Sequence, residues 1–483
     1  MPDYDVIVLG GGSAGSSAAA AAVKAGARTL MINDGELGGL CILRGCMPTK
    51  AMLASAHALH EATHTDPFGI RLEGRVTADF SRIMERKAEM VQRFQRAKIS
   101  SVESQEYELL FGRARFVPGG GLELDGRRLE ARAYVIATGS VPTMLSIPGL
   151  DEVPVLTSDD VMRMEAQPAS LVVQGAGPIG LELAQFFARI GTRVLLVNRS
   201  PLLSRFDEEC GEELTRAFSE EPNLELAVPG RIERLRGAGP GLSAQVRSGD
   251  RLFDFEADAL LMATGRRAAL DDIGLEQVGL RTAGGRLDCD SRMRTANPKV
   301  YVAGDATGAF QILHLANQEG QVAGHNAAGG EPDRKMDYRL RMAMIFTDPP
   351  FAQVGANEQE ARLEGWNPVV GRARLPETGR AITMSVRHGL WKLYACKKTG
   401  EILGCSMLGP RADDLIHLVA LLMDARAGVD RIFELPWYHP TLSEVMLNIG
   451  RDAAARIEAA ADDDVAELPP GCASRPGPPD RSD

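Results

Sequence analysis

The hydrophobic pattern at the start of the chain predicts a strand, a tight turn and a helix in direct succession. Tyr4–Leu9 is a short β-rich run, the stretch 10–15 is rich in glycine, and the segment 16–25 is helix-forming. Glycines in such a turn permit a sharp bend and a close approach of the backbone to phosphate, which the helix N-terminus attracts. The candidate ligand contacts here are Gly10, Gly12, Ser13, Ala14 and Gly15.

The same arrangement recurs in the middle of the chain. Leu171–Val173 predicts a strand, the stretch 175–180 a glycine turn, and Leu181–Arg189 a helix. A glycine turn without a ligand is the alternative for either copy alone, but the repetition favours two nucleotide-binding units. The candidate contacts in the second turn are Gly175, Gly177, Ile179 and Gly180.

The two units also continue alike. Each has a second apolar strand that leads to an asparagine, and each closes with a strand that leads into Thr-Gly. These strands are predicted at 29–32, 134–137, 193–197 and 259–263. Two dinucleotides are therefore predicted, one for each unit. The candidate contacts at these strand ends are Asn33, Asp34, Thr138, Gly139, Asn198 and Gly265.

The end of the second strand bears on which nicotinamide coenzyme is used. NAD sites usually present an acidic residue there to the ribose 2′-hydroxyl, whereas this chain has Asn198 followed by Arg199. Arg199 could hold the 2′-phosphate of NADP, and Arg205 could add a second cation. NADP is therefore preferred over NAD. The alternative is that Arg199 is a solvated loop arginine.

Composition narrows the class of protein. The 483 residues are 44% hydrophobic and 25% charged, which is ordinary for a folded α/β protein of more than one domain. The net charge of −11 argues against a nucleic-acid surface, which needs a cationic field. No segment reaches the roughly 20 apolar residues of a membrane span, and no targeting segment is recognised before the first strand. We therefore expect a cytoplasmic protein with no membrane or nucleic-acid partner.

Two of the seven cysteines lie close together in the sequence. In a regular helix the Cα atoms of Cys41 and Cys46 would be about 8–9 Å apart, whereas a disulfide needs about 4.4–6.8 Å. The segment must bend if the sulfurs bond, and Gly45 permits this. Pro48 suits the first turn of the following helix, whose N-terminus and Lys50 favour a thiolate. The pair is predicted to be redox-active; two cysteines that only pack as small hydrophobic residues are the alternative.

Two further motifs complete a known pattern. Residues 302–306 read Val-Ala-Gly-Asp-Ala, and residues 438–444 read Tyr-His-Pro-Thr-Leu-Ser-Glu. With the two glycine turns and the Cys-x4-Cys segment, they resemble the pyridine nucleotide-disulfide oxidoreductases, the family of dihydrolipoamide dehydrogenase, glutathione reductase and mercuric reductase. The resemblance runs from Asp5 to about Arg456, with the motifs in the family's order.

The resemblance implies an α/β fold with two Rossmann-like, three-layer ββα nucleotide-binding domains and an α+β C-terminal dimerisation domain. It also implies FAD, NAD or NADP, and a homodimer. The predicted ranges are 1–150 and 271–335 for the FAD-binding domain, 151–270 for the NAD(P)-binding domain, and 336–460 for the dimerisation domain. Residues 461–483 are acidic and then proline-rich, which predicts a disordered tail. We interpret Cys472 in this tail as an incidental thiol rather than an electron shuttle.

The family pattern also implies roles for the reactive groups. Cys41 would be the interchange thiol that meets substrate, and Cys46 the thiol nearest the flavin, which forms the charge-transfer complex. Lys50 and Glu182 would form an ion pair at flavin N5.

Proton transfer is assigned to the C-terminal motif. His439 would act as acid and base on the cysteines of the partner subunit, with Glu444 orienting its imidazole. No metal site is predicted. The remaining cofactor contacts implied are Gly39, Lys50, Glu182, Gly304, Asp305, His314 and Ala316.

The chain departs from the family pattern at several positions, and these leave the substrate open. Asn33 replaces the glutamate usual at the FAD ribose, and Leu40 replaces a threonine before the first cysteine. Asn198 and Arg199 resemble NADPH-using mercuric reductases, yet His439 stands where those enzymes have tyrosine. The leading hypothesis is a dihydrolipoamide dehydrogenase-like enzyme acting on a small-molecule or protein-bound disulfide or dithiol. A mercuric reductase-like metal-ion reductase and a non-catalytic flavin redox sensor are the alternatives.

Overall fold

The protein is described by a computed structural model that covers residues 2–461, and the predicted tail beyond them, with Cys472, lies outside the described residues. The elements up to residue 197 are β1 (Tyr4–Leu9), α1 (Ser13–Lys24), β2 (Thr29–Asn33), α2 (Gly39–Leu43), α3 (Cys46–Thr63), α4 (Phe80–Glu103), β3 (Glu108–Phe111), β4 (Arg115–Phe116), β5 (Leu122–Leu124), β6 (Arg127–Leu129), β7 (Ala131–Ile136), β8 (Ser140–Pro142), β9 (Val155–Leu156), α5 (Ser158–Val161), β10 (Ser170–Gln174), α6 (Pro178–Arg189) and β11 (Arg193–Val197). Those from residue 198 to 337 are α7 (Glu208–Ser219), β12 (Leu224–Ala227), β13 (Arg231–Ala238), β14 (Gly241–Ser248), β15 (Arg251–Ala257), β16 (Ala259–Met262), β17 (Arg266–Ala268), β18 (Val300–Val302) and α8 (Leu313–Ala327). The remaining ones are β19 (Met342–Ile345), β20 (Phe351–Gly355), α9 (Glu358–Leu363), β21 (Pro368–Arg374), α10 (Gly379–Thr383), β22 (Leu390–Cys396), β23 (Ile402–Leu408), α11 (Ala412–Asp424), α12 (Asp430–Glu434) and α13 (Val445–Ala461).

The chain divides into two compact units. The first takes the stretches up to Thr65, Leu72–Val197 and Gly230–Asp337, and the second takes Asp66–Arg71, Asn198–Pro229 and the chain from Tyr338 onward. The segment that follows β11 therefore belongs to the same unit as the C-terminal domain.

The first parallel sheet has the strand order β18-β7-β1-β2-β3. Strand β1 is apolar on both faces, as is usual for a parallel strand covered on both sides. Val6 and Val8 pack in the core formed with α1 and α8, whereas Ile7 and Leu9 pack with the small antiparallel sheet β4-β5-β6. The predicted three-layer arrangement of the first nucleotide-binding domain is thus confirmed.

The second parallel sheet includes the strand order β11-β10-β16-β9. Strand β10 is buried from Leu171 to Gln174 and lies between β11 and β16. An antiparallel meander, β13-β14-β15, belongs to the same compact unit. The repetition of strand, glycine turn and helix therefore corresponds to a repetition of architecture.

The C-terminal domain is built on an antiparallel sheet in the order β19-β20-β23-β22-β21. Its core contains side chains of the sheet, such as Trp391 and Met407, together with Ile416 of α11 and Met446 of α13. This is an α+β domain, as predicted.

Helices α1 and α6 both begin earlier than the sequence pattern predicted. They begin at Ser13 and Pro178 rather than at residues 16 and 181, and their N-caps are Gly12 and Gly177. The last residues of each glycine turn already have helical geometry, so Gly12 and Gly177 stand at the helix N-termini.

In the part of the chain that the structure describes, no helix is long and apolar enough to cross a lipid bilayer.

Candidate functional site

The segment that carries the two cysteines is bent where the sequence required it. Helix α2 ends at Leu43 and α3 begins at Cys46, with Arg44 and Gly45 between them. Cys41 is half-buried and Cys46 is exposed, and both are free thiols. The break between the helices places the two side chains within hydrogen-bonding contact, although five residues separate them in sequence order.

The two thiols differ in their electrostatic environment. A hydrogen bond with Cys41 and the charge of Lys50 lower the pKa of Cys46 to about 7. The same hydrogen bond, together with burial, raises the pKa of Cys41 well above its usual range. The reduced pair therefore holds its thiolate on Cys46 and its proton on Cys41 near neutral pH.

Lys50 and Glu182 form the predicted ion pair. The Lys50 ammonium donates to both carboxylate oxygens of Glu182, at Nζ–Oε distances of 2.9 and 2.7 Å. The Glu182 side chain is 4% exposed, so α6 brings a buried carboxylate to α3. A buried carboxylate requires such a partner. The pair joins the helix of the cysteines to the helix of the second glycine turn.

The first glycine turn is shaped by close backbone contacts. Gly10 has φ +107°, and a Cβ there would lie 2.3 Å from the carbonyl oxygen of Ala137. A Cβ on Gly15 would lie 1.7 Å from the carbonyl oxygen of Gly10. Only glycine fits at either position, so these two glycines form the turn rather than merely permitting it.

Asn33 is buried and holds the same turn. Its Oδ1 accepts from the Gly11 amide at 2.9 Å, and its Nδ2 donates to the Gly35 carbonyl at 2.8 Å. Asp34 beside it is exposed. The asparagine at this strand end thus has a structural role that the sequence did not reveal, and its assignment as a ribose contact remains a prediction.

Two features of this unit fit a bound dinucleotide. The Thr138 hydroxyl oxygen is buried and has no hydrogen-bond partner among residues 2–461, whereas the equivalent hydroxyl of Thr264 donates to the Thr143 carbonyl at 2.8 Å. A Cβ on Gly39, where φ is +65°, would lie 2.7 Å from the Cα of Gly12 at the start of α1. The backbone approaches the helix N-terminus closely, and an orphaned polar atom lies at the neighbouring strand end.

The second predicted FAD motif is held by a network of polar residues. Ser140 donates to the Asp305 carboxylate at 2.6 Å, and burial raises the pKa of Asp305. Arg266 donates from Nε to the Ser140 hydroxyl at 3.0 Å and contacts Asp159 at 3.4 Å. Asp159 in turn lies 3.6 Å from Arg44, one of the four residues between the cysteines. A chain of contacts therefore runs from the cysteine segment to Asp305, and only its last residue was among the sequence candidates.

Gly304 lies against Ala14 and Ala316. A Cβ on Gly304 would lie 2.8 and 3.3 Å from the Cβ atoms of Ala14 and Ala316, so these two alanines belong to the packing between α1 and α8. Glu319 is fully buried on α8, and its carboxylate accepts from the Gly304 amide at 2.7 Å. Glu319 was missed because nothing in the sequence distinguishes it from the other polar residues of α8. His314 is the second residue of α8.

The second glycine turn repeats the geometry of the first. Gly175 has φ +108°, and a Cβ there would lie 2.5 Å from the Ala263 carbonyl oxygen; one on Gly180 would lie 1.9 Å from the Gly175 carbonyl oxygen. At Gly177, the N-cap of α6, a Cβ would meet nothing within 4 Å. The shaped turn and the open helix N-terminus fit a dinucleotide phosphate. Ile179 is half-buried in the first turn of α6.

The residues after β11 carry the predicted coenzyme selectivity. Arg199 and Arg205 are both exposed, and neither has an ion-pair partner within the described chain. Asn198 donates from Nδ2 to the Ser200 carbonyl at 2.7 Å, which fixes the turn that carries Arg199. Gly265 has φ +102° and open space beside it, as has Gly139 at the equivalent position of the first unit.

His439 and Glu444 form the predicted pair in the C-terminal domain. The imidazole Nδ1 lies 3.1 and 3.0 Å from the two carboxylate oxygens of Glu444. The His439 side chain is 77% exposed, and that of Glu444 is 19% exposed. The carboxylate thus holds the Nδ1 edge of the ring and leaves Nε2 toward solvent. This arrangement suits a histidine that exchanges protons with a group outside its own domain.

Comparison with known proteins agrees with this geometry. Residues 4–320 match the family described as pyridine nucleotide-disulphide oxidoreductase, and residues 342–449 match the dimerisation domain of that family. The chain belongs to the pyridine nucleotide-disulphide oxidoreductase family. The dimerisation domain supports a homodimer.

Relatives within the family carry the names of different enzymes. The chain is 33% identical to a dihydrolipoyl dehydrogenase of Bacillus subtilis over 91% of this chain and 96% of that protein. It is also 33% identical to a mercuric reductase of Streptomyces lividans, over 91% and 94% of the two chains. Among solved structures, the HOCl-induced flavoprotein disulfide reductase RclA of Escherichia coli superposes with a TM-score of 0.80 at 25% identity, covering 93% of this chain and 99% of that one. The protein is a flavoprotein oxidoreductase that uses FAD and a pyridine nucleotide.

Proposed function

We propose that this oxidoreductase uses NADPH to reduce the Cys41–Cys46 disulfide and passes the electron pair to a small-molecule or protein-bound disulfide. The reaction balances as NADPH, one proton and one disulfide giving NADP⁺ and two thiols. FAD, when bound, supplies the acceptance of hydride from the nicotinamide and the transfer of two electrons to sulfur. The observation that carries the proposal is the hydrogen-bonding contact of Cys41 with Cys46 on the helix that also carries Lys50, whose ammonium pairs with Glu182.

The residues proposed to hold the cofactors follow from the fit of the two turns. The FAD site would comprise the first glycine turn, Thr138, the Lys50–Glu182 pair and Asp305. The pyridine nucleotide would lie at the second glycine turn. The open N-terminus at Gly177 and the orphaned hydroxyl of Thr138 support these assignments.

The unequal thiols define the order of thiol exchange. Cys41 attacks the substrate disulfide and forms a mixed disulfide, which releases the first thiol; Cys46 thiolate then attacks Cys41 and releases the second. Because the pKa of Cys41 is raised, its attack needs a base. We assign this base to His439 of the partner subunit. In this chain the Glu444 carboxylate holds the His439 imidazole in place. The partner's His439 also returns protons to the leaving thiols.

The choice of NADPH rests on the two exposed arginines after β11. Arg199 and Arg205 carry no ion pair within residues 2–461, so both are available to a 2′-phosphate. No acidic residue occupies positions 198–205 to repel that phosphate. An NADH site would instead benefit from a carboxylate at the strand end.

A metal-ion reductase is the second candidate. An exposed thiolate beside a second thiol is a soft-metal ligand pair, and one similar protein is a mercuric reductase. The His439–Glu444 pair favours the disulfide substrate, because a leaving thiol needs a proton and a reduced metal ion does not. The same pair argues against a non-catalytic redox sensor.

The proposed function is tested by anaerobic titration of the FAD-loaded protein with NADPH and with NADH, followed by lipoamide, glutathione disulfide, a quinone and Hg(II) as acceptors. We expect a long-wavelength charge-transfer band on reduction, loss of this band in Cys46→Ser, and turnover with a disulfide. A band that survives Cys46→Ser would contradict the thiol assignment. Reaction with Hg(II) alone would support the metal-ion reductase.

We also propose that the protein acts in the cytoplasm, where thiols such as the four described outside the Cys41–Cys46 pair stay reduced.

A further inference from the structure

A cluster of buried charges anchors the segment that follows the two arginines. Asp207 accepts from the Lys392 ammonium at 2.7 Å and from the Tyr394 hydroxyl at 2.5 Å. It also caps α7 by accepting from the Cys210 amide at 2.9 Å. The side chains of Asp207 and Lys392 are each 4% exposed. Lys392 and Tyr394 are on β22 of the C-terminal sheet, so the start of α7 is fixed to that sheet.

A second carboxylate extends the cluster. Glu209 accepts from Lys392 at 2.7 Å and from two nitrogens of Arg372, with distances of 2.8 to 3.2 Å. The backbone amide of Arg372 donates to Asp452 at 2.8 Å. The buried charges of Asp207 and Lys392 are tolerated because they are paired, and the pairing also fixes their geometry; the side chains of Glu209 and Arg372 are partly exposed. We name Asp207, Glu209, Arg372, Lys392 and Tyr394 the anchor cluster.

The coenzyme loop, residues 198–206, ends directly at the anchor cluster. Asn357 donates from Nδ2 to the Phe206 carbonyl at 2.7 Å, and the Phe206 and Phe351 rings lie 5.5 Å apart. Leu203 is buried in a left-handed conformation with φ +52°. The loop backbone is thus held at its C-terminal end by the C-terminal domain, with Arg205 adjacent to the attachment point.

We propose that the anchor cluster positions Arg199 and Arg205 for the 2′-phosphate, so that residues of the C-terminal sheet determine coenzyme selectivity. The inference rests on the proposed use of NADPH. Tyr394 and Lys392 are positioning residues, because they act through Asp207 and the loop and do not touch the coenzyme. Loosening the cluster releases the arginines and weakens NADPH binding, whereas NADH, which lacks the 2′-phosphate, is affected much less.

The test is the ratio of kcat/KM for NADPH to that for NADH in the FAD-loaded protein. Tyr394→Phe removes two buried hydrogen bonds of the Tyr394 hydroxyl, with Asp207 at 2.5 Å and with Ser406 at 3.0 Å. We expect it to lower this ratio by about threefold to tenfold, mainly through the KM for NADPH. Tyr134→Phe is the control, because Tyr134 is also a buried strand tyrosine with a hydrogen-bonded hydroxyl, which accepts from the Ala131 amide at 2.9 Å. We expect the control to leave the ratio unchanged.

A double-variant comparison separates positioning from general loss of stability. In an Arg199→Gln/Arg205→Gln background, Tyr394→Phe should cause no further fall in the ratio. Equal losses with both coenzymes, or an unchanged ratio in Tyr394→Phe while Arg199→Gln lowers it, would overturn the inference and leave the proposed function intact. An unchanged ratio in the Arg199→Gln/Arg205→Gln protein would instead contradict the use of NADPH itself.

Discussion

At the scale of single residues, the chemistry depends on the unequal environments of two thiols. Because hydrogen bonding from Cys41 is the main cause that lowers the pKa of Cys46, removing the donor has a defined consequence. In Cys41→Ala the pKa of Cys46 should rise from about 7, so its thiolate should form at higher pH than in the unaltered protein.

The measurement is the pH dependence of Cys46 alkylation by iodoacetamide in the reduced protein, followed site by site by mass spectrometry. Cys289 serves as an internal control, because burial raises its pKa to about 12 and it should stay unlabelled near neutral pH. An alkylation midpoint for Cys46 near the usual pKa of a free thiol, unchanged by Cys41→Ala, would contradict the assignment.

The histidine of the C-terminal pair should matter only for the step that involves substrate. We expect His439→Gln to lower disulfide turnover by about 10²-fold to 10⁴-fold, the usual contribution of a general acid–base group. Glu444→Gln should have a smaller effect in the same direction, since it leaves the imidazole in place but removes its anionic partner.

Stopped-flow kinetics distinguishes the two half-reactions of His439→Gln. Reduction of the bound flavin by NADPH should keep its rate, whereas reoxidation by the disulfide substrate should slow. If both half-reactions slowed equally, His439 would have a structural rather than a proton-transfer role.

The sequence predicts which residues are reactive but not the contacts that hold them. Cys41, Cys46, Lys50, Glu182, His439 and Glu444 stand in contiguous motifs with recognisable spacing. Ser140, Asp159 and Arg266 come from three separate elements, β8, α5 and β17, and no periodicity links them; only the folded chain brings them to Asp305. Asn33 was recognised by its position, but its hydrogen bonds to the glycine turn depend on the curvature of that turn.

At the scale of elements, the glycines of the second turn have separable roles. Gly180→Ala should lower the free energy of unfolding by about 3 kcal/mol, because its Cβ would lie 1.9 Å from the Gly175 carbonyl oxygen. Gly177→Ala should cost less than about 1 kcal/mol, since open space surrounds that position. It should nevertheless raise the KM for the coenzyme, because the new methyl group would occupy the phosphate position at the N-terminus of α6.

Denaturant unfolding and steady-state kinetics on the two variants test this separation. A large loss of stability in Gly177→Ala, or an unchanged KM, would be inconsistent with a phosphate at this helix terminus.

The strands beside the two glycine turns were well predicted from sequence: β1 and β11 have the bounds expected from their apolar runs. The helix starts were less well predicted, because residues such as Ser13 are of types common in turns but have helical geometry in the folded chain.

At the scale of the whole molecule, the sequence predicted the architecture because two copies of one pattern were present. It did not predict that the coenzyme loop belongs to the same compact unit as the C-terminal domain. The cause lies in tertiary contacts, such as those of Asp207 with Lys392 and Tyr394, between residues far apart in the chain. The motifs do not identify the substrate either, since similar chains include both dihydrolipoyl dehydrogenases and mercuric reductases.

The central claim is that Cys41 and Cys46 form the disulfide that NADPH reduces. Thiol trapping tests it most directly: the air-oxidised, FAD-loaded protein is divided, one half is reduced anaerobically with NADPH, and both are alkylated, digested and analysed by mass spectrometry. We predict a disulfide-linked peptide pair containing Cys41 and Cys46 before reduction, and two newly alkylated cysteines at these positions afterwards. Alkylation that is the same in both halves, or that changes at other cysteines, would contradict the account.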